Sequence, residues 1–135
     1  MSRTNDLRQL VKMMLDVSDF KGKHGIKEVY YKIASDSTMF PHLIFTVKSI
    51  NLGYLDRKDY LITIDIYTKG SEKLANDIAD DVERMFNNAN MPCENILTTF
   101  FINGRRDVLD EDKKIQHIEI DIQAQLYEKE GVNNG

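Results

Sequence analysis

The sequence predicts an α+β fold, in which a mostly antiparallel sheet of about four to five strands is packed on one face by two helices. Apolar and polar residues alternate in several β-rich segments, such as ITIDIY at 62–67 and IEIDIQ at 118–123. One-sided alternation of this kind is typical of an antiparallel sheet with a single buried face. Residues 71–89 instead repeat their apolar positions with the period of a long helix. The order α-β-ββ-α-ββ, with short connections, favours two antiparallel hairpins joined by that helix.

An N-terminal helix and a short strand open the predicted fold. Apolar residues recur at helical spacing from Leu7 onward, and Thr4 or Asn5 can cap this helix. The segment 20–27, FKGKHGIK, contains two glycines and three lysines, so we expect a loop there. Alternation over 29–33 then predicts a short strand. The apolar stripe of the helix consists of Leu7, Leu10, Val11, Met14 and Leu15.

Two strands joined by a loop form the first predicted hairpin. The segments LIFTVKSI (43–50) and YLITIDIYT (60–68) are rich in β-branched and aromatic residues, and the loop 51–59 between them contains Gly53. Asp65 points to the polar side of the second strand. The apolar side comprises Leu43, Phe45, Val47, Tyr60, Ile62, Ile64 and Ile66.

The long helix follows, with Ser71 as its N-cap and Glu72 in a first turn that suits the helix dipole. Asn90 and Pro92 end its apolar period. The turn Thr68-Lys69-Gly70-Ser71 also lies where phosphates often bind, but it lacks the G-x-x-x-x-G-K spacing of a nucleotide loop. The capping role therefore accounts for this turn. The apolar stripe of the helix is Leu74, Ala75, Ile78, Ala79, Val82, Met85, Phe86 and Ala89.

A second strand pair completes the predicted sheet. ILTTFFI (96–102) is closed by Asn103-Gly104, and IQHIEIDIQAQLY (115–127) is the longest strand. Between them, RRDVLDEDKK (105–114) is a charged loop or the end of a protruding hairpin. The last strand carries five polar side chains opposite its apolar face, namely His117, Glu119, Asp121, Gln123 and Gln125.

Length and composition predict one domain over residues 1–129, with a disordered polar tail at 130–135. The net charge of −4 disfavours a protein that binds nucleic acid mainly through its phosphates. A single cysteine, Cys93, excludes an intrachain disulfide and favours a reducing compartment. We expect no signal peptide, and no apolar run approaches the roughly 20 residues of a membrane helix. The expected protein is soluble and intracellular.

The sharpest candidate for chemistry is His117-x-Glu119-x-Asp121, whose side chains share one face of the last strand. Asp65 can join them if its strand is adjacent. Imidazole with carboxylates is a plausible set of metal ligands. Residues on one strand splay apart, however, so we favour the alternative that these groups form the hydrated face of the sheet. We predict no catalytic residue, no metal and no cofactor.

The segment 105–114 is instead a candidate for contact with a protein partner. Its basic residues flank an acidic tip, and a mixed-charge loop of this length suits docking. The predicted contact residues are Arg105, Arg106, Asp110, Lys113 and Lys114. Apolar bulk at Tyr54, Leu55 and Phe100-Phe101, together with the long last strand, adds the expectation of an oligomer.

The layout as a whole resembles the tail terminator, or tail-to-head joining, proteins of long-tailed bacteriophages. The resemblance covers most of the chain and rests on the order of its parts rather than on an invariant motif. Those parts are the N-terminal helix, PHLIF, IDIYTKGS, LANDIADDVERMF, FFINGRRDV and the final strand HIEIDIQAQLY.

The resemblance implies an assembly protein of the virion tail or neck without catalytic residues. Members of this family form rings, commonly hexamers, that cap the head-proximal end of the tail tube and join it to the head connector. DNA passes through the ring without specific binding, no membrane is involved, and assembly takes place in the host cytoplasm. On this hypothesis Asp65, Glu119 and Asp121 line the lumen or a subunit boundary, where acidic groups let a polyanion slide.

Two alternatives remain open. Another neck or head-completion protein of the same virion would have a similar sequence pattern. A small metal-dependent enzyme that uses His117, Glu119 and Asp121 is the alternative from a different class.

Overall fold

A computed structural model describes residues 3–35, 38–50, 57–93 and 96–128. Within these ranges the chain forms three helices and six strands, in an α+β arrangement. The helices are α1 (Arg3–Leu15), α2 (Ser18–His24) and α3 (Glu72–Phe86). The strands are β1 (Glu28–Tyr31), β2 (His42–Ile50), β3 (Arg57–Lys69), β4 (Asn90–Cys93), β5 (Ile96–Val108) and β6 (Ile115–Glu128).

The strands form one mixed sheet in the order β1-β2-β3-β6-β5-β4. All neighbours are antiparallel except β1 and β2, which run parallel. The prediction of four to five mostly antiparallel strands was therefore wrong in number and in the orientation of β1. Alternation of side chains reveals a strand but carries no information about the direction of its partner. The short strand β4 was missed because Asn90 and Pro92 indicated only the end of a helix.

The centre of the sheet is the pairing of β3 with β6, in which three pairs of isoleucines lie opposite each other. Ile62 pairs with Ile122, Ile64 with Ile120 and Ile66 with Ile118. All six side chains are buried. The repeated isoleucines of the two segments thus form the middle of the core, as the alternation predicted.

Helix α3 covers this isoleucine surface and buries one stripe of its own. Ser71 is its N-cap, and its hydroxyl oxygen accepts a hydrogen bond of 3.1 Å from the backbone N–H of Leu74, which confirms the predicted cap. At the other end, the rings of Phe86 and Phe100 meet edge to face at 5.0 Å. Helix α1 packs on β2, and α2 contacts α3. The buried residues of α3 are Ala75, Ile78, Ala79, Val82 and Phe86.

Two further segments differ from the prediction. Residues 20–24 of the loop expected at 20–27 belong instead to α2, which is followed by Gly25 with a φ of 66°. Phe20 and His24, one turn apart, are its buried residues, and two positions are too few to produce a visible period. Strand β5 extends through RRDV to Val108, so only the later part of the segment 105–114 is a connection.

Some predictions lie outside the described residues. These are the tail at 130–135 and the apolar contributions of Tyr54 and Leu55. Of the Phe100-Phe101 pair, Phe100 is buried in the core and Phe101 is half-buried.

Candidate functional site

The candidate site lies on the face of β3 and β6 opposite the helices, which we call the open face. Its odd-numbered residues at 61–67 of β3 and 117–123 of β6 alternate with the buried isoleucines and are half-buried. Within the described part of the chain, the helices pack on the other side of the sheet, where the core residues lie. The open face therefore presents polar side chains that water or a partner can reach.

Asp65, His117 and Glu119 are brought together on this face. Asp65 lies directly opposite Glu119 in the β3–β6 register. The imidazole Nε2 of His117 is 2.7 Å from Oδ1 of Asp65. One donor atom from each of the three side chains lies within 4.8 Å of the other two. The exposed fractions of the side chains are 12% for His117, 17% for Asp65 and 22% for Glu119.

Asp121 belongs to a neighbouring part of the open face rather than to this cluster. The hydroxyl of Thr63 donates a hydrogen bond of 3.1 Å to its Oδ1, and Arg106 Nη1 lies 2.9 Å from its Oδ2. The other amino group of Arg106 donates to Glu119 Oε1. Of the predicted set, the structure thus joins His117 and Glu119 to Asp65, while Arg106 connects Asp121 to them.

The cluster contains more carboxylates than guanidinium groups. Asp65, Glu119 and Asp121 lie in this network with Arg106, whose guanidinium contacts Glu119 and Asp121, while Asp65 contacts His117. Burial raises the pKa of Glu119, and the hydrogen bond and negative charge of Asp65 raise it further, against the opposing effect of Arg106. Burial together with the charges of Asp65, Asp110 and Glu119 also raises the pKa of the Tyr67 phenol.

A row of stacked rings borders the cluster. His42, Tyr67 and His117 are cross-strand neighbours on β2, β3 and β6. The centroids of His42 and Tyr67 are 4.9 Å apart, and those of Tyr67 and His117 are 4.2 Å apart with an interplanar angle of 20°. Burial lowers the pKa of His42, against a raising effect of its backbone hydrogen bond to Met39. Sequence analysis missed this row, since it depends on the register of three strands.

A β-bulge between Ile102 and Gly104 decides where the two predicted contact arginines point. It leaves Asn103 without a partner, so that Arg105 pairs with the buried Ile120 and Arg106 with Glu119. Arg105 accordingly reaches α3 on the helix side, where it contacts Asp80 at 2.7 Å and Glu83 at 2.9 Å. Both arginines have partners within their own chain.

Asp110, Lys113 and Lys114 lie at the end of the β5–β6 hairpin, as predicted. Asp110 Oδ1 accepts a hydrogen bond of 2.9 Å from the backbone of Asp112, which shapes the turn. Asp110 and Lys113 line a cleft of about 380 Å³ between this turn and the start of α3. Leu109, beside the same cleft, has a side chain that is 98% exposed. Sequence analysis missed it because one leucine in a charged segment has no period.

Comparison with known proteins identifies the fold. A chain from the virion of a native gene transfer agent particle superposes with a TM-score of 0.65 at 11% identity, over 87% of this chain and 90% of that one. A second solved chain without a descriptive name gives a TM-score of 0.66, also at 11% identity, over 93% of this chain and 96% of that one. No family model and no curated protein matches the sequence. The fold is therefore shared with a virion component over nearly the whole domain.

No helix in the described residues is both long enough and apolar enough to span a bilayer.

Proposed function

We propose that this chain is a structural protein of a virion, and that it forms a ring at the head-proximal end of a tail tube. In this proposal the ring joins the tail to the head connector, and DNA passes through it. The chain acts by assembly and not by catalysis. Its partners are further copies of itself, in a ring that we expect to be a hexamer, the tail tube protein and the connector protein.

The observation that carries the proposal is the shared fold with a chain of the gene transfer agent virion. The likeness extends over 87% of this chain and 90% of the virion chain, so it involves the whole domain rather than one common motif. At 11% identity the likeness concerns the fold, and the step to function is ours. The independent resemblance of the sequence to tail terminator proteins points to the same class of particle.

The surface of the molecule also supports assembly. The sheet has helices on one side, while the open face is half-buried over β3 and β6. Large apolar side chains are exposed as well, including Met39 at 61% and Leu109 at 98%. These side chains add no stability to a monomer while they are exposed, whereas subunits of a ring can bury them against one another.

We assign the subunit contact to the end of the β5–β6 hairpin. Asp110, Lys113 and Lys114 lie there beside the exposed Leu109, which gives an apolar residue surrounded by charges of both signs. This is the composition of a small interface centre with a polar rim. In the same proposal, the acidic groups of the open face line the lumen or a subunit boundary.

The proposal is tested by measuring assembly directly. We expect light scattering across a concentration series to give a mass several times that of one chain, and electron microscopy to show rings. Added to purified tail tubes that lack their terminator, the protein should bind the tube ends and stop further growth. A chain that remains monomeric at all concentrations and leaves tube ends free would contradict the proposal.

Another neck or head-completion protein of the same virion is the second candidate. Such a protein would form a ring but would bind the connector rather than the tube ends. Adding the protein separately to tubes and to connector complexes distinguishes the two roles.

A further inference from the structure

We propose that Asp65, His117 and Glu119 form a binding site for a divalent transition metal ion, with zinc as the representative ion. The proposal concerns a ligand of the open face and does not depend on the ring. It differs from the sequence pattern in its third ligand. Asp65 from β3 takes the place that the pattern assigned to Asp121.

The donor atoms are close enough together to bind one ion. The three donor atoms come from two neighbouring strands and lie within 4.8 Å of one another. Bonds of about 2.0–2.2 Å to nitrogen and oxygen place the ligands of a tetrahedral zinc ion about 3.3 Å apart. The present spacing of 2.7 Å between His117 Nε2 and Asp65 Oδ1 needs to widen slightly. Rotations of side chains suffice for this, because the β3–β6 ladder holds the backbones in register.

Neighbouring side chains hold the ligands in place. The ring of Tyr67 stacks on His117 at 4.2 Å and fixes the plane of the imidazole. Arg106 binds Oε1 of Glu119, and the second oxygen of that carboxylate can turn to a metal ion. Such outer partners orient the ligands of metal sites in general. A metal ion therefore does not have to displace Arg106.

The negative charge of the cluster also favours a cation. Asp65 and Glu119 lie opposite each other, and Asp121 adds a third carboxylate beside Arg106. A divalent cation would offset the repulsion between the two facing carboxylates, which the single guanidinium offsets only in part. The hydrogen bond between His117 and Asp65 is the competing arrangement, and the experiment must distinguish the two.

The donor set selects the kind of ion. One imidazole nitrogen with two carboxylate oxygens suits zinc and similar first-row ions, whereas magnesium and calcium prefer oxygen ligands alone. Three protein ligands leave a fourth position of the tetrahedron open. The side chains are 12–22% exposed, so water can occupy that position.

Titration of the full chain, free of affinity tags, with zinc tests the proposal. We expect one zinc ion per chain, a rise in the melting temperature and no comparable effect of magnesium. We expect three single substitutions, His117→Gln, Asp65→Asn and Glu119→Gln, to weaken zinc binding by about tenfold or more each. A loss of this size is usual when residues of a metal site are substituted. Asp77→Asn is the control, since it removes an exposed carboxylate of α3 away from the open face, and should bind within about threefold of the wild type.

Two further measurements show whether the metal ion is bound at this site and not at the cysteine. Cobalt in place of zinc should give the visible absorption of tetrahedral coordination in the wild type and in Cys93→Ser, which removes the one thiol of the chain. The same absorption should be absent in His117→Gln, whose folding is checked by circular dichroism. No zinc binding by the wild type, or equal binding by His117→Gln, would overturn the proposal. Neither result bears on ring formation, which is measured separately.

Discussion

The carboxylate of Asp81 connects helices α2 and α3. It lies on α3 and accepts hydrogen bonds from Lys23 at 2.9 Å, from Arg84 and, across the helix contact, from His24, whose Nε2 is 2.6 Å away. Burial alone would raise the pKa of Asp81, but these three partners together hold it well below its usual range. Two side chains of the short helix α2, Lys23 and His24, thus meet at one acidic residue of α3.

We predict that Asp81→Asn lowers the free energy of unfolding by about 1–3 kcal/mol at pH 7, the usual range for hydrogen bonds to charged groups. A carboxyl with a depressed pKa in the folded state stabilises the protein above its unfolded pKa of about 3.9. That contribution is lost as the pH falls further toward the folded value. The difference between mutant and wild type should therefore be constant from pH 7 to 5 and shrink below pH 4, as followed by urea denaturation.

Asp77→Asn provides the control for this prediction. Asp77 is on the same helix, but its partner is the exposed Lys73 one turn away. Its replacement should leave the unfolding curve nearly unchanged. A constant deficit of Asp81→Asn down to pH 3 would mean that the effect does not come from the charge.

The elements differ in how far the sequence predicts them. Helix α3 and the isoleucine strands β3 and β6 were predicted because each buries one complete face, which imposes a period. Helix α2 and strand β4 bury too few residues for a periodic pattern to appear in the sequence. The direction in which β1 runs cannot be predicted from the residues of β1 alone. The candidate site was predicted for the same face, but Asp65 joined it through strand pairing, and Arg106 through the bulge.

The bulge in β5 gives a prediction at this scale. Asn103 is the extra residue between Ile102 and Gly104, so its deletion lets β5 continue regularly and keeps Arg105 and Arg106 on their present faces. We expect the deletion to retain the wild-type fold with a change in the free energy of unfolding of about 1 kcal/mol or less. Thermal and urea denaturation measure the difference.

Deletion of Ile102 is the matched comparison. The chain is shortened by the same one residue, but Asn103 then takes the place opposite Ile122 on the core side. Bringing an amide side chain to this position costs about 1–3 kcal/mol. Equal stability of the two deletion variants would contradict the assignment of Asn103 as the unpaired residue and of Ile102 as the residue packed on the core side.

At the scale of the whole molecule, the one-sided sheet separates stability from assembly. The core between the helices and the inner face contains the large buried side chains, so we expect the domain to fold without a partner. The open face and the hairpin end add little to that core. Substitutions there can therefore change association while the stability of the single chain stays the same.

Leu109→Asp tests this separation. The leucine side chain is 98% exposed, so its replacement should change the free energy of unfolding of dilute protein by no more than about 0.5 kcal/mol. If the hairpin end forms the subunit contact, the buried charge should weaken association by about tenfold or more. In light scattering, the mutant oligomer should then dissociate at protein concentrations at which the wild-type oligomer persists.

Ile33→Asp, at a residue that is 78% exposed on another part of the surface, provides the matched control. Because assembly stabilises the folded chain by mass action, the wild-type melting temperature should rise with concentration, whereas that of Leu109→Asp should not. An unchanged oligomer in Leu109→Asp would exclude the hairpin end as the contact.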